Sequence, residues 1–385
     1  MQNFVYSIPT EIYFGKGQIK NLVNIIKNHG SRVLIVYGGG SIKKIGLYDT
    51  ITTMFNENNI KYTELSGVEP NPKLNSVKKG IELCRQFNAD IVLSIGGGST
   101  IDCGKVIAAG VAYDGDPWDL VTDPKKIKDV LPIVSVLTLA ATGSEMDMLA
   151  VISNMETNDK IGVGNVNMRP VASILDPEYT YTVSKYQTAA GTADIMSHII
   201  EAYFSNSEGY MQDRMAEGLL KTCIEFGVKA IEKPDDYEAR ANLMWTSSWA
   251  INGFLALGKP GPWSCHAIEH ELSAYYDITH GVGLAIITPH WMKRVLNDSH
   301  LEKFVQYGVN VWGIDSSLDK YEIANKSIEK TREYFNSMGI PSTLREVGIG
   351  EEKFDIMAEK ASKKLINSYS PLNKEDVLNI YKASL

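Results

Sequence analysis

Asp90-Ile91-Val92-Leu93-Ser94-Ile95-Gly96-Gly97-Gly98-Ser99-Thr100 is the stretch that decides the fold. An apolar, β-branched run that stops dead on glycines reads as a buried parallel strand feeding a tight turn. The arrangement recurs twice. Upstream, Arg32-Val33-Leu34-Ile35-Val36-Tyr37 ends on Gly38-Gly39-Gly40-Ser41. Downstream, Ile133-Val134-Ser135-Val136-Leu137 ends on Thr138-Leu139-Ala140-Ala141-Thr142-Gly143-Ser144-Glu145. Helical patterns over 19–28, 45–58 and 75–88 separate these runs, with a further strand near 61–65. Residues 4–14 read as a strand or hairpin interrupted by Pro9. Alternating strands and helices imply a parallel α/β sheet with ligands at the carboxyl ends of its strands.

Beyond residue 186 the strand-like runs fade. Helical patterns take over at 187–204, 210–231, 236–256, 263–274, 320–338, 351–366 and 373–384. The expected architecture is an α/β nucleotide-binding domain over 1–184 followed by an all-α domain over 185–385. A chain of 385 residues exceeds what one core usually spans, about 250–300 residues.

Composition excludes several classes. A net charge of −8 and isolated lysine pairs (43–44, 78–79, 125–126) argue against a nucleic-acid partner. No apolar run reaches the roughly 18 residues that a membrane span needs. The first residues show neither a basic nor an apolar leader pattern, so no secretory signal is expected. Four scattered cysteines without a C-x-x-C pair read as reduced thiols in a cytoplasmic protein.

Three strand ends bearing Gly, Ser and Thr are a physical signature for phosphate. Glycine lets backbone approach closely, and the following helix offers free N–H groups at its positive end. Neither the usual dinucleotide fingerprint nor a Walker loop is present: Lys43 and Ile101 stand where a third glycine belongs. The turn Gly39-Gly40-Ser41-Ile42-Lys43-Lys44 carries no acid and two lysines. That environment favours a ribose 2′-phosphate over a free 2′-hydroxyl, hence NADP(H) over NAD(H).

The C-terminal half carries a second signal. Asp194 and His198 lie four apart in an apolar context, His266 and His270 repeat the spacing, and His280 follows. On helices such pairs project from one face. Four of the seven histidines fall in these two segments. A carboxylate with several imidazoles suits Fe²⁺ or Zn²⁺. His266-Ala-Ile-Glu269-His270 also matches H-x-x-E-H, a metallopeptidase signature in which Glu269 would be the general base. That reading leaves Asp194, His198, His280 and the glycine turns unused.

The turns Gly96-Gly97-Gly98-Ser99-x-x-Asp102 and Thr138-x-x-x-Thr142-Gly143-Ser144-Glu145, with Asp194-x-x-x-His198 and His266-x-x-x-His270-x₉-His280, resemble the iron-containing (group III) alcohol dehydrogenases over essentially the whole chain. Tyr37–Lys44 and Trp263–Glu271 resemble the NADPH-dependent butanol dehydrogenase branch. The resemblance implies a dehydroquinate-synthase-like fold with Asp194, His198, His266 and His280 as metal ligands. It implies cofactor contacts at Gly39, Ser41, Asn71, Gly97, Gly98, Ser99, Asp102, Thr138, Thr142, Lys160 and Tyr179. His270 matches an unligated histidine beside the nicotinamide, either relaying a proton or orienting His266. The implied activity is hydride transfer between NADP(H) and a primary alcohol or aldehyde such as butanol or butanal, in a homodimer. A polyol dehydrogenase is the alternative within the same fold.

Overall fold

The computed structural model describes residues 2–259, 261 and 263–385. By its internal contacts the chain forms two compact units. One comprises Ser7–Val183 with Asp235–Met244; the other comprises the segment ending at Tyr6, Ser184–Pro234 and Trp245–Leu385.

The first unit runs β1 (Glu11–Phe14), α1 (Leu22–His29), β2 (Arg32–Tyr37), α2 (Ser41–Lys44), α3 (Leu47–Glu57), β3 (Lys61–Leu65), α4 (Leu74–Phe87), β4 (Ile91–Gly96), α5 (Gly98–Gly110), α6 (Pro117–Thr122), β5 (Ile133–Leu137), β6 (Leu149–Asn154), β7 (Asp159–Gly164) and β8 (Ala172–Leu175). Six strands form one parallel sheet in the order β1-β8-β5-β4-β2-β3. Side chains alternate across it with period 2. Leu34, Val36 and Val92 join one buried cluster with α4 and α5, while Val33, Ile35, Ile91, Leu93 and Ile95 join another with α1 and α3. Each such side chain, fully buried, contributes about 1.5–3 kcal/mol. From β2 the chain winds outward to β3, then returns to place β4 on the other side of β2. The order in which strands are added therefore reverses between β2 and β4, the point where open α/β sheets bind ligands. The first two glycine turns leave these two adjacent strands.

The expected N-terminal strand shrinks to β1, because residues 4–9 precede it as irregular chain and Pro9 withholds a ladder donor. Helices α5 and α6 lie outside the helical ranges read from the sequence, and among the strands two elements escape the pattern. The antiparallel hairpin β6–β7 is one: Gly162 and Gly164 blur the alternation of β7. The other is β8, only four residues long between Pro170 and Pro177.

The second unit is helical: α7 (Lys185–Tyr203), α8 (Tyr210–Glu232), the distal part of α9 (Tyr237–Ile251), α10 (Ser264–Tyr276), α11 (His280–Val295), α12 (Leu301–Trp312), α13 (Lys320–Ser337), α14 (Phe354–Ser362) and α15 (Lys374–Ala383). Ser184 caps α7 by accepting from the Gln187 N–H. Phe204, just past α7, gathers Trp291, Phe304, Tyr307 and Tyr369 at ring separations of 4.6–6.1 Å. Helices α11 and α12 are the two in this unit that lie outside the helical ranges read from the sequence. Pro289 interrupts α11, whereas α12 has a regular buried stripe of Phe304, Tyr307, Gly308 and Val311, with Gly308 where α13 comes close. Among the described residues no helix is long and apolar enough to cross a membrane.

Candidate metal centre and nucleotide site

Three helices bring the histidines together. Asp194 and His198 sit one turn apart on α7, His266 and His270 one turn apart on α10, and His280 opens α11. Asp194 Oδ1 lies 3.6 Å from His198 Nε2, 3.9 Å from His266 Nε2 and 3.8 Å from His280 Nε2. Four donors at about 2.0–2.2 Å from one ion stand roughly 3.4 Å apart. The three distances to Asp194 Oδ1 are within about half an ångström of that spacing; Asp194, His198 and His266 form one mutually close set, while His280 also groups with Glu269 and His270. Asp194 Oδ1 and His266 Nε2 are moreover buried without a hydrogen-bond partner. A buried carboxylate oxygen facing only ring nitrogens is costly unless a cation completes it. The donor set, one carboxylate and three imidazoles, suits Fe²⁺ or Zn²⁺.

Electrostatics follow from this crowding. Burial alone would push the Asp194 carboxyl up, but His198, His266 and His280 outweigh it and hold it well below the usual carboxylate range. Burial drives the His198 imidazole down to about 3. Burial also works against a proton on His266, yet Glu201 and Asp194 raise it to about 9.

Two carboxylates behind the ring nitrogens were not among the residues singled out as ligands. Glu201, one turn beyond His198, places Oε2 2.9 Å from His266 Nδ1, and its Oε1 accepts the backbone N–H groups of Cys265 and His266. Glu269 bonds His280 Nδ1 and accepts the Ser273 hydroxyl. Glu269 is fully buried in this role, which removes it as the water-activating base that the H-x-x-E-H reading requires. Its space comes from Gly283, where a β-carbon would stand 2.8 Å from the Glu269 side chain. Cys265 is buried and its thiol is pushed well up by desolvation, as befits a packing residue beside a ligand.

His270 lies at the edge of this cluster, with a ring nitrogen within 4.8 Å of candidate ligand atoms on Glu269 and His280. Its ring centroid is 6.1 Å from that of His266 and 5.5 Å from that of His280. Since Glu201 occupies His266 Nδ1, His270 is not the group that orients His266.

In the α/β unit most of the implied cofactor residues follow the carboxyl ends of the sheet strands, while Asp102 lies inside α5 and Lys160 in the β6–β7 hairpin. Gly39 lies in the turn after β2, and a β-carbon there would meet nothing within 4 Å. Ser41 opens α2. Gly97 leads into α5 with no side-chain cap, and Gly98 and Ser99 form its first turn, a helix start suited to phosphate. The Thr138 N–H bonds the Gly96 carbonyl at 3.0 Å, joining the second and third turns. Thr142 packs on Gly98, where a β-carbon would stand 2.1 Å from its hydroxyl. Lys160 pairs across β7–β6 with Ser153, whose N–H bonds the Pro72 carbonyl at 2.9 Å, next to Asn71 in the left-handed region. Tyr179 follows β8, three strand spacings or about 14 Å from β2. Burial pushes its hydroxyl up to about 12.

Asp102 behaves differently from its neighbours in this set. It is buried, with one oxygen accepting the Ser144 hydroxyl at 2.6 Å and the other the Val151 N–H at 2.8 Å. Beside it, fully buried Lys105 pairs with Asp147 at 2.6 Å. Together they fasten the third turn and the hairpin to α5. Nothing in the spacing of Lys105 and Asp147 announces this pair.

Comparison with known proteins agrees with the geometry. Residues 9–177 match the model of the iron-containing alcohol dehydrogenases, and residues 188–385 match that of the C-terminal part of the Fe-containing alcohol dehydrogenase family. The chain is 66% identical to NADH-dependent butanol dehydrogenase A of Clostridium acetobutylicum over the full length of both. It is 39% identical to the NADPH-dependent aldehyde reductase YqhD of Escherichia coli, over 94% of this chain and 93% of that one. Among solved structures, NADH-dependent butanol dehydrogenase A of Thermotoga maritima superposes with a TM-score of 0.95 at 41% identity, over 100% of this chain and 99% of that one. The chain belongs to the iron-containing alcohol dehydrogenase family.

Proposed function

We propose that this protein is a metal-dependent alcohol dehydrogenase and aldehyde reductase, moving hydride between NADP(H) and a primary alcohol or aldehyde such as butanol or butanal. The observation that carries the proposal is the convergence of three imidazole Nε2 atoms on Asp194 Oδ1 at 3.6–3.9 Å. Asp194, His198, His266 and His280 would hold the metal. A divalent ion there supplies Lewis acidity toward the substrate oxygen, and the nicotinamide supplies or takes the hydride. The chain's own work is positioning. Asp194 contributes the negative charge that retains a cation, and the helices deliver the imidazoles already aimed. His270, outside the four proposed ligands and one turn from His266, is the group we assign to moving the alcohol proton, imidazole being the commonest general acid–base side chain.

The first glycine turn supports NADP(H): it has no carboxylate, and it has room at Gly39 and two lysines. Lys43 rests 4.4 Å above the Tyr48 ring, and Tyr48 and Tyr37 both donate to Glu64, which tempers that charge. The Clostridium relative is named as NADH-dependent and the E. coli relative as NADPH-dependent, so NAD(H) is the second reading. A cytoplasmic homodimer completes the proposal; the four cysteines, all free and buried, accord with a reducing compartment.

The test is elemental analysis of purified protein paired with NADPH and NADH oxidation against a series of aldehydes. Stoichiometric iron or zinc with aldehyde-dependent turnover is expected, and His266→Ala should lose both. Undiminished turnover after exhaustive chelation sinks the mechanism.

A further inference from the structure

We propose that Glu201 and Glu269 set the ring tautomers of His266 and His280, and that Glu201 cannot be replaced by its amide whereas Glu269 can. The inference rests on the metal reading above and assigns residues that reading leaves idle. An ionised carboxylate only accepts hydrogen bonds. With Glu201 Oε2 2.9 Å from His266 Nδ1, and Glu269 Oε2 on His280 Nδ1, each Nδ1 carries the proton. Nε2 is then the nitrogen left facing Asp194, the one whose proton a divalent ion displaces to take the lone pair. His198 lacks this support: its Nδ1 is buried with no partner among the described residues.

The two carboxylates differ in what their second oxygen meets. Glu201 Oε1 accepts two backbone N–H groups, which can only donate. A glutamine at 201 fails in either orientation. If its oxygen serves the backbone, its NH₂ faces His266 Nδ1 and forces the proton onto Nε2. If its oxygen serves Nδ1, the NH₂ confronts two N–H groups. Glu269 Oε1 instead meets the Ser273 hydroxyl, which can turn to accept. That hydroxyl also lies 3.4 Å from the Ile278 carbonyl, an alternative acceptor for its proton. A glutamine at 269 therefore keeps its oxygen on His280 Nδ1 and its NH₂ on Ser273.

The experiment equilibrates Zn²⁺-loaded protein with a chromophoric chelator. It compares wild type, Glu201→Gln, Glu269→Gln, Ser273→Ala and the Glu269→Gln/Ser273→Ala double variant, with thermal unfolding of each as the folding control. Glu201→Gln should weaken Zn²⁺ binding by about 100-fold or more, and Glu269→Gln by less than about 10-fold. The double variant should lose more than its two single changes combined, because removing the hydroxyl strands the new amide. Equal affinity for Glu201→Gln and wild type, or a weaker Glu269→Gln than Glu201→Gln, overturns the proposal. If Glu201→Gln does not fold, the cycle decides: additivity of the Glu269 and Ser273 changes overturns it. A wild type that binds no Zn²⁺ or Fe²⁺ sinks the metal reading itself, an outcome distinct from tight wild-type binding with unaffected variants.

Discussion

Gly281 stands against the backbone of Ala190, where a β-carbon on Gly281 would lie 1.9 Å from the Ala190 carbonyl oxygen. Ala190 is one turn before Asp194 on α7, and Gly281 follows His280 on α11. This close approach is what brings His280 Nε2 to 3.8 Å from Asp194 Oδ1. Backbone cannot swing aside as a side chain can, so Gly281→Ala must part the two helices. It should cost about 1–3 kcal/mol in denaturant unfolding and lower the metal content of the purified protein. Full stability with a full metal complement would show that the helices have slack.

Gly39 offers the opposite case, a glycine with open space around its missing β-carbon. Gly39→Asp should therefore fold normally. An aspartate there repels a 2′-phosphate and can accept from a ribose 2′-hydroxyl. The ratio of kcat/KM for NADPH over NADH should fall by at least about tenfold, or about 1.4 kcal/mol. An unchanged ratio would mean that the adenosine end is not read at this turn.

The fold was legible where local pattern and tertiary burial agree. β2, β4 and β5 are nearly continuous apolar runs ending at glycine or turn residues, so chain alone marks them. β8 is too short and the β6–β7 hairpin too glycine-rich for periodicity to rise above noise. α11 carries Pro289, which argues against helix locally, and packing on α7 overrides it. In the site, Asp194 and His198 show as an i,i+4 pair. Glu201 looks like an ordinary helical acid, and Glu269 shows only as the base of the H-x-x-E-H pattern, not as a partner of His280. What singles them out is a neighbour from another part of the chain, 64 to 65 residues away for Glu201. Spacing marks residues that share a face; it does not reveal which face another helix brings to them.

His270→Ala separates proton movement from metal retention. His266 Nδ1 is held by Glu201 and His280 Nδ1 by Glu269, so losing the His270 ring removes no partner from either ligand's Nδ1. Metal content should stay at the wild-type level while kcat falls by about 100-fold, in the range for a lost general acid–base group. The neutral limb of the pH–rate profile should flatten with it. Metal loss in this variant would instead make His270 a structural support of the centre.

Asp102 raises the question of whether a residue beside the glycine turn touches the cofactor or holds the turn. Both its oxygens are spent inside the protein, on the Ser144 hydroxyl and the Val151 N–H. An asparagine can keep its oxygen on Val151 and turn its NH₂ to Ser144, whose hydroxyl then accepts. Asp102→Asn should therefore stay within about 1 kcal/mol of wild type and keep its KM for the dinucleotide. Asp102→Ala strands both donors and should cost about 1–3 kcal/mol for each left unpaired, with a raised KM because the third turn loses its anchor. If the carboxylate met the cofactor directly, the asparagine variant would keep its stability but show a KM raised as far as in the alanine variant. Urea unfolding and KM measured on the same two preparations distinguish a clamp from a contact.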